Sequence, residues 1–132
     1  MYTLGAFAVI RDAQGKVLLC HRTDRDEWDL PGGRTESSEP PWDTVAREVE
    51  EEVGLRVKPE VLVGVYWVPS RSDLVFTFVC TVVSGELRIS DEADQIDWFP
   101  PSELPSNMSR RHIERIYDSL GQHRGVLLKE QN

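Results

Sequence analysis

Residues 38–54 constrain the fold more than any other stretch, because their apolar side chains recur with the period of a helix. Trp42, Val45, Val49 and Val53 follow one another at spacings of 3, 4 and 4, which places them on one stripe. The reading is a helix over Ser38–Val53 with Ser38 as its N-cap. Pro40 and Pro41 fall in the first turn, where a missing N–H removes no helical bond. Gly54 stands where a helix-terminating glycine belongs. A helix with one apolar stripe needs a surface to cover, and the flanking sequence supplies strands. Thr3–Arg11, Lys16–His21, Val61–Val68 and Leu74–Val83 are rich in β-branched and aromatic residues. Asp12 to Gly15 reads as a hairpin turn and Pro69 to Asp73 as a loop. Shorter strands are expected at Leu87–Ile89 and Ile96–Phe99. A second helix is expected over Ser109–Leu120, burying Ile113, Ile116, Tyr117 and Leu120. Residues 126–128 read as a last strand or as a contact between two copies in a homodimer.

Length and charge narrow the function. At 132 residues the chain reads as a single domain over 1–132, long enough to bury a core without disulfides or a structural metal. Cys20 and Cys80 each sit in an apolar run and read as buried free thiols. The apolar start at Met1 has no basic leader and is cut short by Arg11 and Asp12, so it reads neither as a signal peptide nor as a membrane span. A cytoplasmic protein is expected. The net charge of −8 argues against a nucleic-acid surface. Between Gly33 and Leu55 seven carboxylates face two arginines, more than half of the net charge. Such a patch repels a phosphate compound unless cations lie between them.

The carboxylates are also ordered. Glu48, Glu51 and Glu52 stand at i, i+3 and i+4, on one helix face beside the valine stripe. An acidic helix face is usually just solvated. Here the helix follows Pro31-Gly32-Gly33, Arg47 stands one turn before Glu51 to orient a carboxylate, and clustered hard oxygens suit Mg²⁺ or Mn²⁺.

With these residues in place, the segment Gly33–Leu55 resembles the Nudix box: Gly33, Glu39, Arg47, Glu48, Val49, Glu51, Glu52, Gly54 and Leu55 fill its pattern without a departure. Seven fixed residues at roughly 7% frequency each give a chance match on the order of 10⁻⁸ per starting position. Trp28 to Gly32 looks like the strand and turn that lead into the box, and Glu92 to Pro105 like the family's later strand and its Leu-Pro ending. The resemblance implies a Nudix (MutT-like) hydrolase with an α/β/α sandwich, a mixed β-sheet and a loop-helix-loop motif. It implies hydrolysis of a diphosphate bond in a nucleoside triphosphate or a nucleotide sugar such as ADP-ribose, with water activated by Mg²⁺ or Mn²⁺. The partner is then a small nucleotide; no membrane partner is expected, and the acidic balance counts against nucleic acid. The alternatives are a catalytically silent Nudix-fold nucleotide-binding module and an RNA 5′ pyrophosphohydrolase. By the same resemblance Glu48, Glu51 and Glu52 are metal ligands, the Gly33 carbonyl a further one, and Glu48 alternatively the general base. Arg47 and Glu39 orient the others.

Outside the box the expectations are looser. Glu92 is expected to add a metal ligand or act as base, with Asp91 and Asp94 as alternatives. Arg22 and Arg71 are expected to reach phosphate. Tyr66, Trp67 and Phe76 are expected to border the pocket, one of them stacking on a nucleobase; Trp28 is weighed in the same way. His21 reads as structural. Pro69, fourteen residues after Leu55, stands one residue short of the spacing associated with ADP-ribose hydrolases.

Overall fold

The computed structural model of the protein describes residues 1–121 and 125–132. Its elements run β1 (Thr3–Ile10), β2 (Val17–Arg22), β3 (Trp28–Asp29), β4 (Gly32–Arg34), α1 (Pro41–Val53), β5 (Leu55–Val68), β6 (Asp73–Gly85), β7 (Ala93–Phe99), α2 (Arg110–Leu120) and β8 (Leu127–Glu130). Five strands form a mixed sheet in the order β4-β1-β6-β5-β8, and three form an antiparallel sheet in the order β3-β2-β7. In the larger sheet β1–β6 and β5–β8 are parallel, while β1–β4 and β5–β6 are antiparallel.

Alternation along the strands explains why the sheets lie between two helices. From β1 the buried Ala6, Ala8 and Ile10 face the α1 side, where they meet Leu18, Cys20, Val45, Val49 and Val53. Val9, facing the other way, joins Val17, Leu19, Leu30 and Ile116 under α2. Both sheet faces are covered, so β1 and β2 read as nearly continuous apolar runs. Val45, Val49 and Val53 are fully buried, each worth about 1.5–3 kcal/mol of transfer free energy. This is the α/β/α sandwich with a mixed sheet that the family resemblance implies. Among the described residues, no helix is long and apolar enough to cross a membrane. Both cysteines are buried and free.

Several local expectations are corrected. The helix begins at Pro41, not Ser38: Pro40 is extended at its N-cap, and Ser38 adopts a left-handed φ of 67° in the bend before it. Pro41 disfavours the helical conformation in the residue before it, so Ser38 caps nothing. Trp42 is 57% exposed. Thr44 takes the first buried position instead, its hydroxyl donating to Glu39 and to the Pro40 carbonyl. The turn at 12–15 closes as expected, with Gly15 N–H donating to Asp12 O, but its strands do not form a hairpin. After the single bridge Arg11–Val17 they diverge into separate sheets. Leu87–Ile89 is not a strand. That segment crosses the end of α1, where Arg88 N–H donates to Val53 O at 2.9 Å. Tyr117 and Leu120 of α2 are exposed, and the buried line holds His112, Arg115 and Ile116. β5 and β6 are longer than expected and pair almost throughout, with three register shifts. Residues 127–130 form a strand along β5.

Gly54 ends α1 with φ 84°, its N–H bonded to Glu50 O. A Cβ there would lie 2.4 Å from Glu86 O. Gly54→Ala is therefore expected to cost at least the roughly 1–2 kcal/mol of a left-handed side-chain residue and to lower Tm by about 5 °C or more. A thermal melt matching the parent would refute this account of the helix end.

Candidate active site

α1 carries the carboxylates, and one arginine sets where they point. Arg47 donates to Glu39 through Nε at 2.7 Å and Nη2 at 3.0 Å, to Glu48 through Nη1 at 2.9 Å, and to Glu51 at 3.1 Å. It also reaches the Arg34 carbonyl. Glu39 accepts further bonds from Thr44 Oγ1 and Glu36 N–H. These contacts, Arg47 first, hold the Glu39 carboxyl down at about 2. With its charge fixed, Glu39 is an anchor for the guanidinium.

Glu48, Glu52 and Glu92 come together, with one carboxylate oxygen of each inside a 4.8 Å span. Their supports differ. Gly33 leaves room for Glu48, since a Cβ there would stand 2.6 Å from the Glu48 carboxyl carbon. Glu52 is buried and accepts Gly32 N–H at 3.2 Å. Glu92 sits in a tight turn closed by Ser90, whose hydroxyl accepts the Glu92 and Ala93 N–H groups and whose own N–H donates to Ala93 O. Glu51 stands outside the group, largely exposed and bound to Arg47. Asp91 contributes its carbonyl to Thr23, and Asp94 binds His21.

Crowding like charges in a partly buried place disfavours ionisation. Burial, then the Glu48, Glu92 and Asp29 carboxylates, push Glu52 up to about 8 against the opposing Gly32 N–H. Burial likewise raises Glu48 despite Arg47. Three converging carboxylates, one buried, fit a hard divalent cation better than they fit each other. Glu52 binds its proton more tightly folded than unfolded. Without metal, its contribution to stability is present below about pH 4.5 and lost as pH rises through about 8. In chelator, Tm is therefore expected to fall between pH 5 and 8, and Glu52→Gln to flatten that slope. A parent and a Gln variant with the same slope would contradict the crowding.

A cavity of about 520 Å³ opens beside this group and runs inward between the two sheets, a size suited to a small-molecule ligand. Arg22, Gly33, Glu52, Arg71 and Glu92 line it. Arg22 is clamped by Asp24 at 2.7 Å and by Asp29 at 3.2 Å; Arg71 leans on Asp73. Tyr66, Trp67 and Phe76 do not line the cavity. Tyr66 is fully buried, donating to Asp118, Trp67 packs edge-on against Tyr2, and Phe76 packs on the α1 side of the sheet. Trp28 packs between His21 and Phe99, and His21 bridges Asp26 and Asp94.

The cavity is also lined by residues that the sequence reading missed: Phe7, Asp29, His112 and Arg115. His112 Nδ1 accepts Leu30 N–H, and burial together with nearby arginines keeps it well below its ordinary value, hence neutral. Burial and Glu27 raise Asp29 to about 6. The available signal was a polar pair, His112 and Arg115, spaced to share one face of an otherwise amphipathic helix.

Comparison with known proteins places the chain in a family. The NUDIX domain family model matches residues 1–120. A "MutT-like protein" of Streptomyces ambofaciens is 34% identical over 120 residues, covering 91% of this chain and 78% of that protein. A "putative 8-oxo-dGTP diphosphatase" of Bacillus subtilis (strain 168) is 32% identical over 119 residues, covering 89% and 80%. The fold is shared by a crystal structure from Streptococcus suis 89-1591 described as an ADP-ribose pyrophosphatase, with a TM-score of 0.79, 23% identity and coverage of 97% and 99%. On this match, carried through the whole loop-helix-loop segment, the chain belongs to the NUDIX domain family and is a Nudix hydrolase.

Proposed function

We propose that the protein hydrolyses the diphosphate linkage of a nucleotide, a nucleoside triphosphate or a nucleotide sugar, at the carboxylates of α1 and the Glu92 turn. The observation that carries this reading is the convergence of Glu48, Glu52 and Glu92 at the mouth of a cavity lined by Arg22 and Arg71. Glu48, Glu52 and Glu92 are the residues to hold Mg²⁺ or Mn²⁺, with Gly33 beside them and Glu51 at the rim. When bound, the metal screens the diphosphate and lowers the pKa of a water. The chain's own groups do the rest. Arg22 and Arg71 offset phosphate charge along the wall. Arg47 keeps the carboxylates from turning away. In the hydrolysis, water oxygen bonds to phosphorus, the bridging P–O bond breaks, and the water's proton passes to a carboxylate. We take Glu92, which lines the cavity, as that acceptor; Glu48 and Glu52 then hold the metal. The intact carboxylate set argues against a silent binding module, and the net charge of −8 against an RNA substrate.

The test is product release from a panel of dNTPs, 8-oxo-dGTP, ADP-ribose, NADH, diadenosine polyphosphates and capped RNA, each with Mg²⁺ and with chelator. Turnover of at least one small nucleotide, abolished by chelation and restored by Mg²⁺, is expected. Full activity after exhaustive chelation would overturn it. Glu52→Gln is expected to lower kcat by roughly 10³-fold or more while remaining folded. A destabilised but active Gln variant would remove Glu52 from the site. Glu92→Gln is expected to lower kcat without moving Tm; unchanged kcat would return the proton acceptor to Glu48.

A further inference from the structure

One wall of the cavity is basic in a protein of net charge −8. Arg111 and Arg115 stand one helical turn apart on α2, and both line that wall with Arg71. Arg111 Nη2 donates to Ser70 Oγ at 3.4 Å, which sets it beside the segment that carries Arg71. Two of their donors, Arg111 Nε and Arg115 Nη1, are buried with no hydrogen-bond partner among the described residues. Arg115 is 2% exposed. An unpaired donor on a buried charged group is among the costlier defects a fold can carry. The other atoms of Arg115 are occupied. Nε and Nη2 both donate to Gln131 Oε1, at 3.1 and 3.0 Å, and the guanidinium lies over the Phe7 and Tyr66 rings. Gln131 is itself fixed, because its amide donates to Arg111 O and Glu114 Oε1.

The charges do not cancel within the wall. Arg71 leans on Asp73 at 3.4 Å, while among the described residues no carboxylate forms an ion pair with Arg111 or Arg115. Asp29, on the same cavity, is taken by Arg22. Burial lowers Arg115 only to about 10, which leaves it cationic at neutral pH. Burial, then Arg115, Arg22, Arg111 and Arg71, hold His112 well below its ordinary value, so the ring adds no charge of its own. The first turn of α2 adds to the field. Ser109, Arg111 and His112 line the cavity and no side chain caps the helix, so its free N–H groups also favour an anion.

We infer that Arg111 and Arg115 hold a phosphate monoester of the substrate, separate from the diphosphate that is cut. This rests on the hydrolase reading and names the substrate class of that same site: a diphosphate-linked nucleotide that carries a further phosphate. Arginine forks suit phosphate oxygens and present their donors in a fixed plane. Charge decides between phosphate and carboxylate. Arg71, Arg111 and Arg115 against Asp73 leave about two positive charges, which a monoester of about −1.5 to −2 balances and a carboxylate does not. Glu48, Glu52 and Glu92 repel the same group, so it settles on the arginines and leaves the metal site to the diphosphate.

The first measurement is metal-free: inorganic phosphate titrated into the protein in chelator at neutral pH, read by calorimetry and by Tm at ionic strength held constant with chloride. Saturable binding is expected. Arg111→Met and Arg115→Met are expected to weaken it by about 10- to 100-fold, and Arg22→Met by less than about threefold. Arg111 is only half-buried, so its variant carries the test if Arg115→Met does not fold. Arg56→Met, at an exposed ion pair with Glu50, controls for net charge. Phosphate held as tightly by Arg111→Met as by the parent, or lost in Arg22→Met instead, would mean an adventitious ion only and overturn the inference. So would the absence of saturable binding. The second measurement compares NADH with NADPH, and ADP-ribose with ADP-ribose 2′-phosphate, in Mg²⁺; the members of each pair differ by one monoester. The phosphorylated member is expected to show the lower KM at similar kcat in at least one pair, and Arg111→Met to erase that difference. An extra phosphate that never lowers KM would overturn the inference and leave the hydrolase reading standing. No turnover of any nucleotide in Mg²⁺ would remove both.

Discussion

The guanidinium of Arg47 is the contact on which the rest of the site depends. It satisfies Glu39, Glu48 and Glu51 at once and reaches back to the Arg34 carbonyl, tying the helix to the strand before it. Without that cation, four glutamates within one helix would repel one another. With it, Glu39 is fixed in its ionised form and Glu48 is pinned against Gly33, where only a residue without Cβ leaves room. The helix tolerates its charge density because the opposite face is anchored by three fully buried valines.

Much of this was legible from the sequence because it is local. Helix period, glycine stops and carboxylate spacing all lie within residues 33–55, and the α/β/α layering followed from the resemblance that those residues carry. What escaped was non-local. Ser38 looked like a cap by residue type, but the constraint came from Pro41. Tyr66, Trp67 and Phe76 were correctly read as strand residues, yet which side of a strand faces the cavity depends on register, and the register shifts in β5 cannot be seen in composition. Asp29, His112 and Arg115 are brought to one place only by α2 folding back, with Arg115 over Phe7 and Tyr66 and His112 on Leu30. Glu92, by contrast, was suggested by the family resemblance of the segment ahead of Trp98, with Asp91 and Asp94 as alternatives, and the structure sets it beside Glu48 and Glu52.

Two charge arrangements lie along the cavity and follow different logic. Around Arg47, like charges are crowded and one arginine contains them; the arrangement favours a cation. At Asp29 and Arg115, opposite charges are kept from closing on each other, each held by its own partner, Arg22 for Asp29 and Gln131 for Arg115.

The divergence of β1 and β2 after their shared turn also bears on how the molecule comes into being. β1 finds its partner in β6, with Thr3 opposite Asp73, and β2 in β7, with Val17 opposite Phe99. Nearly every contact that frames the cavity therefore joins distant parts of the chain, the kind of topology that slows folding. The carboxylates of α1 lie within one helix beside their own arginine, whereas Glu92 reaches them only through the pairing of β7 with β2. The full repulsion among the three therefore exists only where the sheets supply the cohesion to withstand it.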